Sequence, residues 1–183
     1  MSFEEEQLLR ICNKIDRFTE VTGYLFSWLV VPLVGVIAYE VFARYGFDAP
    51  TTWAFELSYM LYGSMFMLGT ALALRKGAHI RTDLFWHKFS PRTKGLIDLV
   101  GYLVFLFPGI AMVLWVGWEE TVYAFDIMER SEATAWRPVM WPFKAMVPLS
   151  ALLLLIQAVS EVIKAYHAVK TGELLTPAEE VQI

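Results

Sequence analysis

Cysteine is almost absent from this chain. One residue, Cys12, is the whole complement, which excludes an intramolecular disulfide and any multi-cysteine metal cluster. Charge is scarce as well. Asp, Glu, Lys and Arg make up 19% of the residues, against about 25% in ordinary soluble domains. No basic stripe of the kind nucleic acid requires is present. The three histidines, His79, His87 and His167, lack HExxH spacing and cysteine companions, and no glycine-rich phosphate loop follows a strand. With no nucleophile–base pair and no ligand set for a metal, the pattern is not that of an enzyme, and no cofactor is expected in this chain.

What fills the space is hydrocarbon. Apolar residues make up 57%, above the ~45–50% of soluble domains, and they are gathered into runs. Val21–Tyr39, Leu57–Leu74, Leu99–Trp118 and Ala145–Ser160 contain no acid or base. About 20 such residues suffice to cross a hydrocarbon core of ~30 Å. The reading is an all-α integral membrane protein, one four-helix membrane domain over 1–183 with spans at about 21–44, 57–74, 96–118 and 139–160. A signal peptide does not fit the first run: a polar stretch beginning Glu4-Glu5-Glu6 precedes it, and Tyr39-Glu40 follows where a small-residue cleavage site would be. Ahead of it, Leu8, Ile11, Cys12, Ile15 and Phe18 recur at helical spacing. Two placements fit this segment: an amphipathic helix lying in the interface, or an extension of the first span.

Orientation follows from the basic residues. Arg10, Lys14 and Arg17, then Arg75, Lys76, Arg81, Lys88, Arg92 and Lys94, then Lys164 and Lys170 fall on one side. Arg44, Arg130, Arg137 and Lys144 are left for the other. Positive charge stays inside, so both termini and the middle loop are expected in the cytoplasm. The outward loop between spans three and four is acidic, with Glu119, Glu120, Asp126, Glu129 and Glu132.

The span middles carry no charge, so the chain offers no ion or proton path of its own. Pro32 and Pro108 there suit kinks, and Gly63 and Gly69 suit close approach of another helix. Polar residues collect at the span ends. Glu40 and Arg44 are four apart and can pair, as can Lys94 and Asp98. His79 and Asp83 are also four apart and fit a structural hydrogen bond. Arg44, Trp53, Glu56 and Lys144 are expected to cluster at the outer interface and hold spans one, two and four together, with Glu40 or Glu56 as the partner of Lys144. Asp48, Thr52, Glu129 and Glu132 are candidates for contact with an external protein. Arg75, Lys76 and Arg81 are candidates for contact with anionic lipid head groups.

The run EVFARYGFDAPTTWAFELSYMLYGSMFMLGTALALRKGAHIRTDLFW from Glu40 to Trp86 resembles the small membrane subunit, the DctQ-like family, of tripartite ATP-independent periplasmic (TRAP) transporters. The features that carry it are Arg44-Tyr45, Trp53 and Glu56, Gly69, and the Gly77-x-His79-x-x-x-Asp83 turn, with Trp141-Pro142 in the later Pro138–Pro148 region. Many members have two consecutive acids after the tryptophan, where this chain has Phe55 before Glu56. The resemblance implies a sodium-coupled secondary transporter of the bacterial or archaeal inner membrane for an organic acid-type solute. It implies a periplasmic substrate-binding protein and a large DctM-like membrane subunit that holds the sodium, beside whose static scaffold the small subunit packs. The alternative reading is a membrane assembly protein that recruits partners through its acidic outer loop.

Overall fold

A computed structural model describes residues 3–77, 89–173 and 175. Every named element among them is helical: α1 (Phe3–Ser27), α2 (Val30–Phe47), α3 (Ala54–Arg75), α4 (Pro91–Val100), a π-helical segment (Gly101–Leu106), α5 (Phe107–Asp126), α6 (Trp141–Lys144) and α7 (Met146–Thr171). These join into four helices long and apolar enough to cross a membrane: Glu5–Phe47, Ala54–Arg75, Pro91–Asp126 and Trp141–Thr171. All but the second run well past the uncharged stretches that mark them in sequence. The N-terminal amphipathic segment continues into the first of them, so of the two placements considered for it, extension is the one the helix takes.

Prolines set the breaks. A proline has no N–H for the carbonyl four residues before it, and its ring crowds that carbonyl. Pro32 stands four residues after Trp28, where α1 gives way to α2. There Leu29 N–H bonds Phe26 O at 3.1 Å and Val31 N–H bonds Trp28 O at 3.0 Å, a local tightening to i→i+3. Pro108 follows the π-helical turn, in which Phe107 N–H reaches back five residues to Tyr102 O. Pro148 stands four after Lys144, where α6 ends. Each kink therefore has an identifiable covalent cause.

The helices form a layer rather than a closed bundle. α3 packs on α7; α1 and α2 pack on α3, while α4 and α5 pack on α7 from the other side, and α1 also reaches α7. At the end formed by α2 and α5 the order is thus first, second, fourth and third span, while at the other end α1 packs against both α3 and α7. The interior of the layer is thin: Leu68, Ala71 and Leu153 make one small cluster, and Leu74, Leu154 and Ala158 another. Close approach depends on small residues. At Gly95 a Cβ would lie 2.7 Å from Ala165 O and 2.9 Å from Ala168 Cβ, so α4 meets the backbone of α7 there. Gly63 likewise faces Phe143 at 3.0 Å, whereas Gly69 has nothing within 4 Å. Of the two glycines expected to serve packing, only the first does so within this chain.

Candidate functional site

At the end of the layer where α2 ends and α3 begins, Glu40 organises the corner. Its carboxylate pairs with Arg44 and accepts from the Thr51 hydroxyl and, at 3.0 Å, from Thr51 N–H. Thr51 Oγ1 in turn accepts from Ala54 N–H at 3.3 Å, the first residue of α3. Asp48 takes a left-handed conformation (φ 52°) after α2 and turns the chain. Trp53 stacks on Tyr39 with ring centroids 5.6 Å apart. Asp48 and Thr52 stay exposed.

A second construction covers the same end. Beyond Asp126, Met128 adopts φ 47° and Glu129 N–H bonds back to Ala124 O at 2.9 Å, the six-to-one closure that reverses a chain after a helix. The loop folds on itself through Ser131 N–H to Pro138 O and Met140 N–H to Glu129 O, each 2.9 Å. Two side chains pin it. Thr134 donates to Glu56 Oε1 at 2.5 Å, and Lys144 donates to Glu129 Oε2 at 2.6 Å. Lys144 also reaches Glu120 on α5 at 3.3 Å. Glu132 remains exposed.

This corrects the expected pairing of Lys144 with Glu40 or Glu56. The helix-ending turn carries Glu129 back over α6, while Glu40 is engaged by Arg44 and Thr51, and Glu56 by Thr134. Arg44, Trp53, Glu56 and Lys144 accordingly belong to separate contacts at one end of the layer, not to one charge cluster. Glu56 is 2% exposed and its Oε2 has no partner among the described residues. Its place in the first turn of α3 sets it against the positive end of the helix dipole, which favours an acid.

The opposite end holds a network that sequence reasoning missed. Asp16 on α1 is buried against α7. Its Oδ1 accepts from Ser160 Oγ at 2.8 Å and Gln157 Nε2 at 3.0 Å, and its Oδ2 accepts from Lys164 Nζ at 2.7 Å. Lys164 and Gln157 also donate to Glu161 Oε1, at 2.9 and 3.0 Å. Cys12 lies one turn away, with Sγ 3.8 Å from Ser160 O. Further along α1, Glu20 pairs with Arg75 at 3.0 Å, and Tyr24 accepts from Lys76 at 3.3 Å beneath its ammonium. Acids on α1 thus face bases on α3 and α7. The sequence carries a partial signal, which shows a shared face on each helix but not that the two faces meet: Cys12, Asp16 and Thr19 recur at i, i+4, i+7, and Gln157, Ser160, Glu161 and Lys164 at i, i+3, i+4, i+7.

Arg75 and Lys76 have protein partners at this end. Arg81, His79 and Asp83 lie outside the described residues. Among the described residues no group of three His, Cys, Asp or Glu could hold a metal. An open apolar groove of about 490 Å³ lies between Met112, Val113, Val116, Gly117 and Val147, with Glu120 and Lys144 at its rim. Among the described residues nothing at either end arranges a nucleophile and a base around a reacting centre. These contacts can fix helices, present a loop and meet a partner.

Residues 33–167 match the family model described as the DctQ component of tripartite ATP-independent periplasmic transporters. The chain is 22% identical over 134 residues to the sialic acid TRAP transporter small permease protein SiaQ of Vibrio cholerae, covering 73% of this chain and 74% of that one. It is 28% identical over 104 residues to the sialic acid TRAP transporter permease protein SiaT of Haemophilus influenzae, covering 54% of this chain and 16% of that permease.

Proposed function

Since this chain belongs to the DctQ component family of TRAP transporters, a membrane transporter component and not an enzyme, we propose that it is the non-catalytic small subunit of a sodium-coupled carrier for an organic acid-type solute. It packs against the large membrane subunit as part of a static scaffold, and the sodium sites belong to that larger partner. The observation that carries this reading is the family match across 33–167, joined to span middles with no acid or base through Val21–Tyr39, Leu57–Leu74 and Leu99–Trp118. A chain without charge at membrane depth has no ion relay to offer. A moving carrier needs something anchored to push against, and four helices in a layer supply lipid-held area. The Haemophilus relative supports a large companion, since the region like this chain is 16% of that permease.

In this reading the chain is one four-helix domain of the bacterial or archaeal inner membrane. The end bearing Arg10, Lys14, Arg17, Arg75, Lys76, Arg92, Lys94, Lys164 and Lys170 is cytoplasmic, with both termini there. Asp48, Thr52, Glu129 and Glu132 then face the periplasm, where a substrate-binding protein docks. Arg75 and Lys76 lie at the level of the inner head groups, where the contact of Arg75 with Glu20 leaves lipid as a further neighbour, and Arg81 is proposed as a lipid contact from its place in the sequence alone.

Reconstitution tests it. Proteoliposomes holding this chain and its large subunit, with the binding protein outside, are expected to take up an organic acid only under an inward sodium gradient. Uptake by this chain alone, or uptake indifferent to its presence, would overturn the reading.

A further inference from the structure

The charges of α1 are sorted by face. At 3.6 residues per turn, Cys12, Asp16, Thr19 and Gly23 share one side of the helix, and all four are buried. Acids that turn toward the rest of the chain meet bases there: Asp16 pairs with Lys164 at 2.7 Å and Glu20 with Arg75 at 3.0 Å, and Glu5 lies 3.6 Å from His167. The opposite side carries Arg10, Lys14, Arg17, Val21 and Leu25 at i, i+4, i+7, i+11 and i+15, every one exposed. Between Arg10 and Leu25 that side holds no acid. Arg10 pairs back to Glu6, whereas Lys14 and Arg17 have no ion-pair or hydrogen-bond partner among the described residues.

The face also changes character within one turn. Arg17 gives way to Val21, 60% exposed, and Leu25, 64% exposed, with Phe18 beside them at 46%. Lys14 and Arg17 stand three residues apart, about 4.5 Å along the axis, which fits inside one head-group layer of roughly 5–7 Å. Orientation by positive charge counts lysines and arginines whichever way they point around a helix, so it does not explain acids turned in and bases turned out. A zwitterionic head group brings an ammonium that needs a carboxylate, and this face offers none. A head group of net negative charge needs only the bases.

We propose that Lys14 and Arg17, with Arg10 behind them, bind the phosphate groups of anionic phospholipids whose chains lie along Phe18, Val21 and Leu25. The leaflet, the cytoplasmic one, rests on the reading that this end of the chain faces inward. The chemistry of the contact does not.

The test uses the full chain in mild detergent, offered an equal mixture of phosphatidylcholine and phosphatidylglycerol, with retained lipid counted by native mass spectrometry. Phosphatidylglycerol is expected to be enriched severalfold on the wild-type chain, and the enrichment to fade as salt is raised. Lys14→Gln combined with Arg17→Gln is expected to lower it at least threefold. Both positions are exposed and glutamine is a good helix former, so melting in detergent alone is expected to stay unchanged. Arg92→Gln combined with Lys170→Gln removes two exposed bases from the same end and is expected to leave most of the enrichment in place. Absence of enrichment on the wild-type chain, or enrichment that the α1 variant retains, would overturn the proposal. Equal loss in both double variants would overturn it in favour of diffuse attraction to the whole basic end. Displacement of the bound phosphatidylglycerol by added large membrane subunit would overturn it in favour of a protein neighbour. A reporter fusion placing the N-terminus outside the cell would overturn the leaflet, and with it the orientation reading, independently of the binding result.

Discussion

α7 and α2 are both apolar helices, yet they are built on opposite plans. α7 buries Pro148, Ala151, Leu153, Leu154, Gln157, Ala158, Ser160, Ala165 and Ala168, whereas α2 buries Leu33 alone. The buried face of α7 is mostly small or polar, while α2 leaves Val34, Ile37, Val41 and Phe42 uncovered. In water the large aliphatic residues would be the ones inside. In a membrane they gain little by meeting each other instead of lipid, so contact is decided by close approach and hydrogen bonds. Small and polar residues therefore mark the core here, and bulk marks the outside.

The sharpest way to break that comparison is to strip α7 of its charge partner. Asp16→Ala takes the carboxylate 2.7 Å from part-buried Lys164, which keeps Glu161, and removes the acceptor of fully buried Ser160 and Gln157. A buried donor left without its acceptor costs about 1–3 kcal/mol, and two are left here, so a fall of several degrees in the melting temperature of the detergent-solubilised chain is expected. Asp16→Asn, which keeps an acceptor oxygen, is expected to recover part of it. Next comes Gly95→Leu, which drives a side chain into Ala165 O. Overpacking of this kind costs about 1–3 kcal/mol, and hydrogen exchange is expected to rise in α4 and in the C-terminal half of α7 more than elsewhere. A smaller effect is expected at Lys144. Glu129→Gln removes its 2.6 Å partner, and Glu120→Gln the 3.3 Å partner whose side chain is 60% exposed. The first is expected to loosen the 127–140 loop to limited proteolysis, and the second to change it little, as exposed pairs contribute about 0.2–1 kcal/mol. Least of all, Val34→Leu or Val41→Leu on α2 is expected to shift melting within about 0.5 kcal/mol. A large loss there would mean that α2 is packed inside the chain after all.

The same contrast explains what could be read from sequence. The four apolar runs announced four crossing helices because hydrocarbon imposes length and hydropathy on any chain that spans it. The Glu40–Arg44 contact was visible because a four-residue spacing settles it locally. Lys144 was harder, since its acids arrive through a turn whose geometry depends on Met128 at positive φ, a residue not selected for that conformation by any obvious rule. The Asp16 network was hidden differently. Asp16 and Lys164 stand outside the uncharged runs, among the basic residues that set orientation, and Gln157 and Ser160 pass for tolerated polar atoms within a run. Only the extension of α1 and α7 beyond those runs brings them together, and helix length past the lipid is weakly constrained by hydropathy.

The third helix, Pro91–Asp126, is 36 residues long, about 54 Å at 1.5 Å per residue, set against hydrocarbon of ~30 Å. Such an overshoot works as a sliding gauge. In a thinner or thicker bilayer the waterline can move along it, submerging or baring a turn at either end, at a cost of fractions of a kcal/mol per Å of mismatch. The Gly95 contact near its start and the Glu120–Lys144 pair near its finish are anchored to neighbouring helices rather than to head groups, so the layer keeps its shape while the lipid level shifts around it.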